Sequence, residues 1–141
     1  MMNESVTLGE NHAYTEWGIV MTGAEIQPPE VEVVNVSVPG RDGDIDITDN
    51  LYGRTPYKNR TIAMHFKAPD EDTWAAKYSS ILENVHGQTL DIIFDSDPEW
   101  YYTGRCIVSG FERGDRLITF DIEVNADPYK YNLEDPTLSI L

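Results

Sequence analysis

Apolar and polar residues alternate with a period of two along most of this chain, the signature of half-buried strands. In "TIAMHFKA", Ile62, Met64, Phe66 and Ala68 fall on one face, with Thr61, His65 and Lys67 on the other. In "LITFDIEVNA", Ile118, Phe120, Ile122, Val124 and Ala126 alternate with Thr119, Asp121, Glu123 and Asn125. "TLDIIFD" repeats the pattern through Leu90, Ile92 and Phe94. "EVEVVNVSV" changes parity, from Val31 and Val33 to Val34, Val36 and Val38. A slip of one residue turns every following side chain to the opposite face. The change therefore implies a bulge near Val33 and Val34, or a strand that leaves one sheet and enters another.

One segment has a different period. "PDEDTWAAKYSSILENVHG" sets Trp74, Tyr78, Ile81, Leu82 and Val85 at helical spacing. Asp70 or Asp72 is placed to cap its start, the first turn is acidic, and Gly87 after His86 suits the C′ position. The expected fold is mainly β with a single amphipathic helix of about four turns, inserted among strands and packed on a sheet. A chain of 141 residues with no repeat or dividing linker reads as one domain, residues 1–141. Residues 1–14 read as a flexible lead, and residues 132–141 as a tail or the start of a further region. Pro28-Pro29 and the stretch after Pro128 are the expected hinge or arm regions.

No apolar run approaches the roughly 20 residues that span a bilayer, and "MMNESVTLGENH" lacks the basic and apolar regions of a secretory signal. A lone cysteine, Cys106, excludes an internal disulfide and suits a reducing folding compartment. The Asn-x-Ser/Thr matches at Asn3, Asn35 and Asn59 carry no weight without an export signal. A formal net charge of −15 should repel nucleic acid, which is held by cations that neutralise phosphates.

The stretch "VPGRDGDIDITDN" places Asp42, Asp44 and Asp46 at the opening spacing of a calcium loop. Counting from Asp42, the sixth position is Ile47 and the twelfth is Gly53, so the glycine turn and closing carboxylate of such a loop are missing. Ile45 and Ile47 alternating with Asp44 and Asp46 describe instead a hairpin strand with its acids outward. His12, His65 and His86 stand at no metal-ligand spacing with one another or with Cys106. His86 reads as a favourable contact with the dipole at a helix C-terminus, and Cys106, in "GRCIVSGF", as a small core residue. No nucleophile elbow, phosphate loop or dinucleotide fingerprint occurs, so no cofactor, metal or catalytic site is expected. "DIIFDSDPEWYYTGR" leaves one rival open. Asp95 and Asp97 beside Trp100, Tyr101 and Tyr102 have the composition of a carbohydrate-active or carbohydrate-binding site, of a protein interface, or of a turn leading into a strand.

Taken in order, "VSVPGRDGDIDIT", "YKNRTIAMHF", "W…YSSILENVHGQ", "IIFDSDPEWYYTGRC" and "ADPYKY" resemble the N-terminal domain of the distal tail proteins of long-tailed phages and prophages. The matching positions are Pro39, Gly40, Arg41, Asp42 and Gly43; Asn59 and Arg60; His86 and Gly87; Asp97 and Pro98; Tyr101, Tyr102, Thr103, Gly104 and Arg105; and Asp127, Pro128 and Tyr129. The resemblance covers residues 15–131. It implies a β-sandwich of the tail-tube type flanked by one helix. It also implies a ring of six copies in the virion tail, joining the tail-tube protein to the hub protein of the baseplate. DNA would pass through the lumen without specific binding, and no membrane would be involved. Many relatives carry a second, C-terminal domain, whereas this chain ends at Leu141. Under the resemblance "VPGRDG" is a tight loop with Gly40 or Gly43 at positive φ. Pro39, Gly40, Gly43, Pro98 and Gly104 would shape the backbone. Arg41, Arg60 and Arg105 would form ion pairs within or between subunits.

Overall fold

The structure is a computed structural model and describes residues 4–141. The Asn3 match and the first three residues of the expected flexible lead lie outside the described residues. The two strands of strictest alternation, β6 (Arg60–Pro69) and β9 (Leu117–Ala126), pair antiparallel over their full length. Their apolar positions share one face: Ile62, Met64, Phe66 and Ala68 are buried with Ile118, Phe120, Ile122 and Val124. Phe66 and Phe120 stack at 5.6 Å. This face is the floor of the core.

Antiparallel pairing extends the floor in both directions. β3 (Val20–Ile26) adds beside β6, and β8 (Trp100–Arg113), β7 (Thr89–Phe94), β1 (Val6–Leu8) and β2 (Asn11–His12) follow beyond β9. β10 (Lys130–Asn132) joins the start of β8, and β11 (Ser139–Ile140) joins β10. These nine strands form one sheet. It curls until β3 at one end and the β7–β8 turn at the other line the same cavity, so the layers facing each other belong to one continuous sheet. Val6, Leu8 and Ala13 are fully buried, so these residues of the expected flexible lead belong to the core, while Glu10 and Tyr14 are exposed.

The amphipathic helix, α3 (Trp74–Asn84), closes the core with Trp74, Ile81 and Val85 buried and Tyr78 and Leu82 packed beside them. Trp74 stacks on Tyr78 at 5.5 Å and meets Phe120 at 6.0 Å. The helix is shorter than expected, eleven residues or about three turns. Its start is not capped by Asp70 or Asp72: Thr73 takes the N-cap place without a side-chain bond, and the first turn holds no acid. Asp70 is drawn instead to Arg113, which reaches it with two hydrogen bonds of 2.8 and 2.9 Å. Gly87 falls one place beyond C′, with φ +77°, and its N–H donates to Cys106 O as the chain turns towards β7. His86 does not act as a dipole contact. Its Nδ1 accepts a bond from Val108 N at 2.9 Å and fastens the helix end to β8.

Two five-residue helices add to the expected one. α1 (Ala13–Trp17) starts where His12 Nδ1 accepts from Thr15 N, stops at Gly18, and buries Ala13 and Trp17. α2 (Thr48–Tyr52) ends at Gly53 and buries Thr48. The remaining strands, β4 (Asn35–Ser37) and β5 (Asp44–Asp46), form a separate two-stranded hairpin outside the main sheet. The parity change in the valine run is neither a bulge in a strand nor a passage from the main sheet to another: Val31 makes only an isolated bridge to Tyr57, and the run first enters a strand at Asn35, where it pairs with β5.

Candidate interaction site

The opening of the hairpin is built by the turn residues of "VPGRDG". Gly40 and Gly43 both take positive φ, +80° and +73°, a conformation that costs other residues about 1–2 kcal/mol. Arg41 N–H donates to Val38 O at 3.2 Å. At the base, Asp46 accepts from the Thr48 hydroxyl and backbone N–H, which holds its carboxyl below the usual aspartate value. Thr48 Oγ1 also accepts from Val34 N at 2.7 Å, tying the hairpin to α2. Asp46 is therefore a structural brace. Asp42 and Asp44 stay exposed on the hairpin, and no group of three or more metal-type side chains converges among the described residues.

This arm carries an unusual surface. Val31, Val33, Val36, Val38, Ile45 and Leu51 are 36–60% exposed. The alternation that buries apolar residues in β6 and β9 here leaves them in solvent. Val36 and Ile45 pair across the hairpin, and an exposed apolar pair of this kind is the character of a contact site.

The other matched residues fall elsewhere. Arg60 lies on the inward face of β6, only 6% exposed, with its guanidinium 5.8 Å from the centre of the Tyr102 ring. Its Nε has no hydrogen-bond partner among the described residues. Arg105 donates to Gly87 O at 2.7 Å rather than to a carboxylate. Arg60 and Arg105 therefore depart from the ion-pair expectation within the chain: one stacks on an aromatic ring and the other caps a carbonyl. The Arg41 side chain is exposed. Gly104 sits where a Cβ would come within 2.5 Å of Asn125 O, so only glycine lets β8 approach β9 so closely there. Asp127 closes a turn by accepting from Tyr129 N at 3.1 Å and from the Tyr131 hydroxyl at 2.9 Å. Burial first, and then the Asp127 carboxylate, push the Tyr131 phenol above its ordinary value. Pro128 and Tyr129 continue that turn, with Tyr129 edge-on to Tyr57 at 6.0 Å.

The acidic aromatic stretch is a turn followed by a strand. Asp95 lies 3.1 Å from His12 Nε2, and Asp97 accepts from Lys130 at 2.6 Å, with Pro98 exposed in the turn. Tyr102 is buried against Phe94, while Tyr101, one position along the strand, faces Tyr131 on the other side. The three aromatics thus do not share a platform, and each carboxylate is already engaged by a cation or imidazole. Cys106 is fully buried, and burial pushes its thiol up to about 11, which makes it a core residue and a poor nucleophile.

One cluster was not foreseen from sequence. His65 sits on the outer face between Glu25 of β3 and Asp121 of β9, 2.7 Å from each. The only signal was that all three occupy polar positions of alternating strands.

No family model matches the chain, and no curated protein matches it by sequence. Among solved structures, it is similar to the Dit protein (gp 19.1) of phage SPP1, described as a paradigm of the hub adsorption apparatus in phages that infect Gram-positive bacteria. The TM-score is 0.65 at 15% identity, covering 92% of this chain and 52% of that one. The fold is of the phage-tail type. At this identity the likeness concerns the fold, and the chain spans about half the length of the SPP1 protein.

Proposed function

We propose that this chain is a structural component of a phage or prophage tail, equivalent to the N-terminal domain of a distal tail protein. Six copies form a ring that joins the tail-tube protein to the hub protein of the baseplate. The ring resides in the virion tail after folding in the bacterial cytoplasm. The observation that carries this reading is that a chain with the fold of a phage hub protein leaves its arm of valines, Ile45 and Leu51 uncovered. A surface that meets a different surface on the next copy builds a closed ring when the rotation permits.

On this reading Arg41, exposed on the arm, is the one of the three matched arginines available to offset the acidic surface at subunit contacts, while Arg60 and Arg105 hold their own subunit together. The remaining acidity faces solvent and the lumen, where a wall without excess cations lets DNA pass without trapping it. The test is analytical ultracentrifugation over a wide concentration range, with electron microscopy of the largest species. A six-membered ring is expected, and a monomer at every concentration would overturn the reading.

A further inference from the structure

Part of the core face of β3 is uncovered. The register with β6 carries a bulge between Met21 and Gly23, and sets Met21, Ala24 and Ile26 opposite Phe66, Met64 and Ile62. Directly opposed residues of an antiparallel pair share a face. Phe66, Met64 and Ile62 are buried, yet Ala24 is exposed and Ile26 is 40% exposed. Both line a cavity of about 440 Å³, whose wall also includes Phe94 and Tyr102 and the exposed Glu4 and Ser96. Small-molecule sites enclose roughly 300–1,000 Å³.

Arg60 adjoins this cavity. It stands two places before Ile62 on the same face of β6, in register with Ala126 of β9 and, through it, Gly104 of β8. These two small residues leave room for the arginine to lie across the sheet. Its guanidinium comes to 5.8 Å from the centre of the Tyr102 ring, which belongs to the cavity wall. Arg60 is the only charged residue buried among the described residues. It also lacks a counter-charge. Lys77, Arg113 and Lys130 each hold a carboxylate, whereas no described carboxylate pairs with Arg60, and residues 1–3 contain none. A buried charge is costly unless paired, and an aromatic ring offsets only part of that cost. The carboxylates of the cavity wall are engaged elsewhere, Glu4 by the Ser96 hydroxyl and Asp97 by Lys130. An uncovered apolar wall thus adjoins an uncompensated buried cation.

We propose that the cavity takes a small carboxylic acid with an apolar body. The body covers Ala24 and Ile26, and the carboxylate meets Arg60 beside the Tyr102 ring, accepting the paired N–H bonds that a guanidinium donates best. The site lies within one copy and does not depend on the ring reading.

The probe is hexanoate near neutral pH, with 1-hexanol as a similar body without the charge, each titrated calorimetrically at fixed ionic strength. Hexanoate should bind saturably, at one site per chain, and about tenfold or more tighter than hexanol. Arg60→Gln should bring hexanoate down to the level of hexanol. Ala24→Trp alters an exposed position, fills the cavity, and should abolish binding of both probes with the fold intact. Absence of saturable hexanoate binding, equal affinity for the two probes, or hexanoate binding that survives either substitution unchanged would overturn the site. None of these measurements depends on association, so the ring reading stands or falls separately.

Discussion

His65 Nδ1 lies 2.7 Å from Asp121 Oδ1 on the neighbouring strand, and its Nε2 lies 2.7 Å from Glu25 Oε2 on the other side. One imidazole thus bridges three strands on the outer face. The Asp121 hydrogen bond first, and the Glu25 bond next, raise His65 above its ordinary value of 6.5. A raised imidazole contributes its stability fully below the unfolded value near 6.5 and loses it as pH rises through the higher folded value. His65→Gln should therefore melt below the parent at pH below 6.5, with a gap that narrows as the pH rises through the raised folded value. Thermal melts across that range check it, and a constant gap would count against the bridge.

Trp74 is 4% exposed and packs on Tyr78, Phe111 and Phe120. Trp74→Ala should cost about 3–5 kcal/mol in denaturant unfolding, the usual range for removing a buried aromatic. A variant of unchanged stability would mean that α3 does not close the core.

Gly104→Ala should destabilise by about 1–3 kcal/mol, because the added methyl meets backbone atoms of Asn125 and Ala126 that cannot yield without parting β8 from β9. The same denaturation series measures it. Tolerance of alanine would show that the two strands are less tightly apposed.

Cys106 should resist a thiol reagent in the native protein and react once per chain after unfolding, since it is fully buried with its thiol pushed up to about 11. Rapid native labelling would place it at the surface.

Each copy carries a formal charge of −15, so association should strengthen from very low salt to about 0.15 M, where the screening length falls to roughly 8 Å. Ultracentrifugation across salt reads this directly, alongside a DNA-retention assay expected to show no binding. Tight DNA binding would contradict the part assigned to the acidic surface.

The residues that line the core of β6 and β9 were legible in the sequence, and so was the buried stripe of α3 through Trp74, Ile81 and Val85. Burial of one face imposes a period of 2 or 3.6 on the local residue order, and such a period survives without knowledge of neighbours. The hairpin at "VPGRDG" was legible for a related reason: positive φ favours glycine. The five-residue helices α1 and α2 were not, because they span too few residues to establish a period. Asp70 illustrates what local order cannot carry. Its position before α3 suits a cap, yet a bidentate Arg113 from 43 residues away takes it. The partners of Arg60, the bridge at His65, and the cavity that β3 shares with the β7–β8 turn arise the same way. They depend on which strands lie side by side and how far the sheet curls, and those are properties of long-range pairing that only the tertiary structure decided.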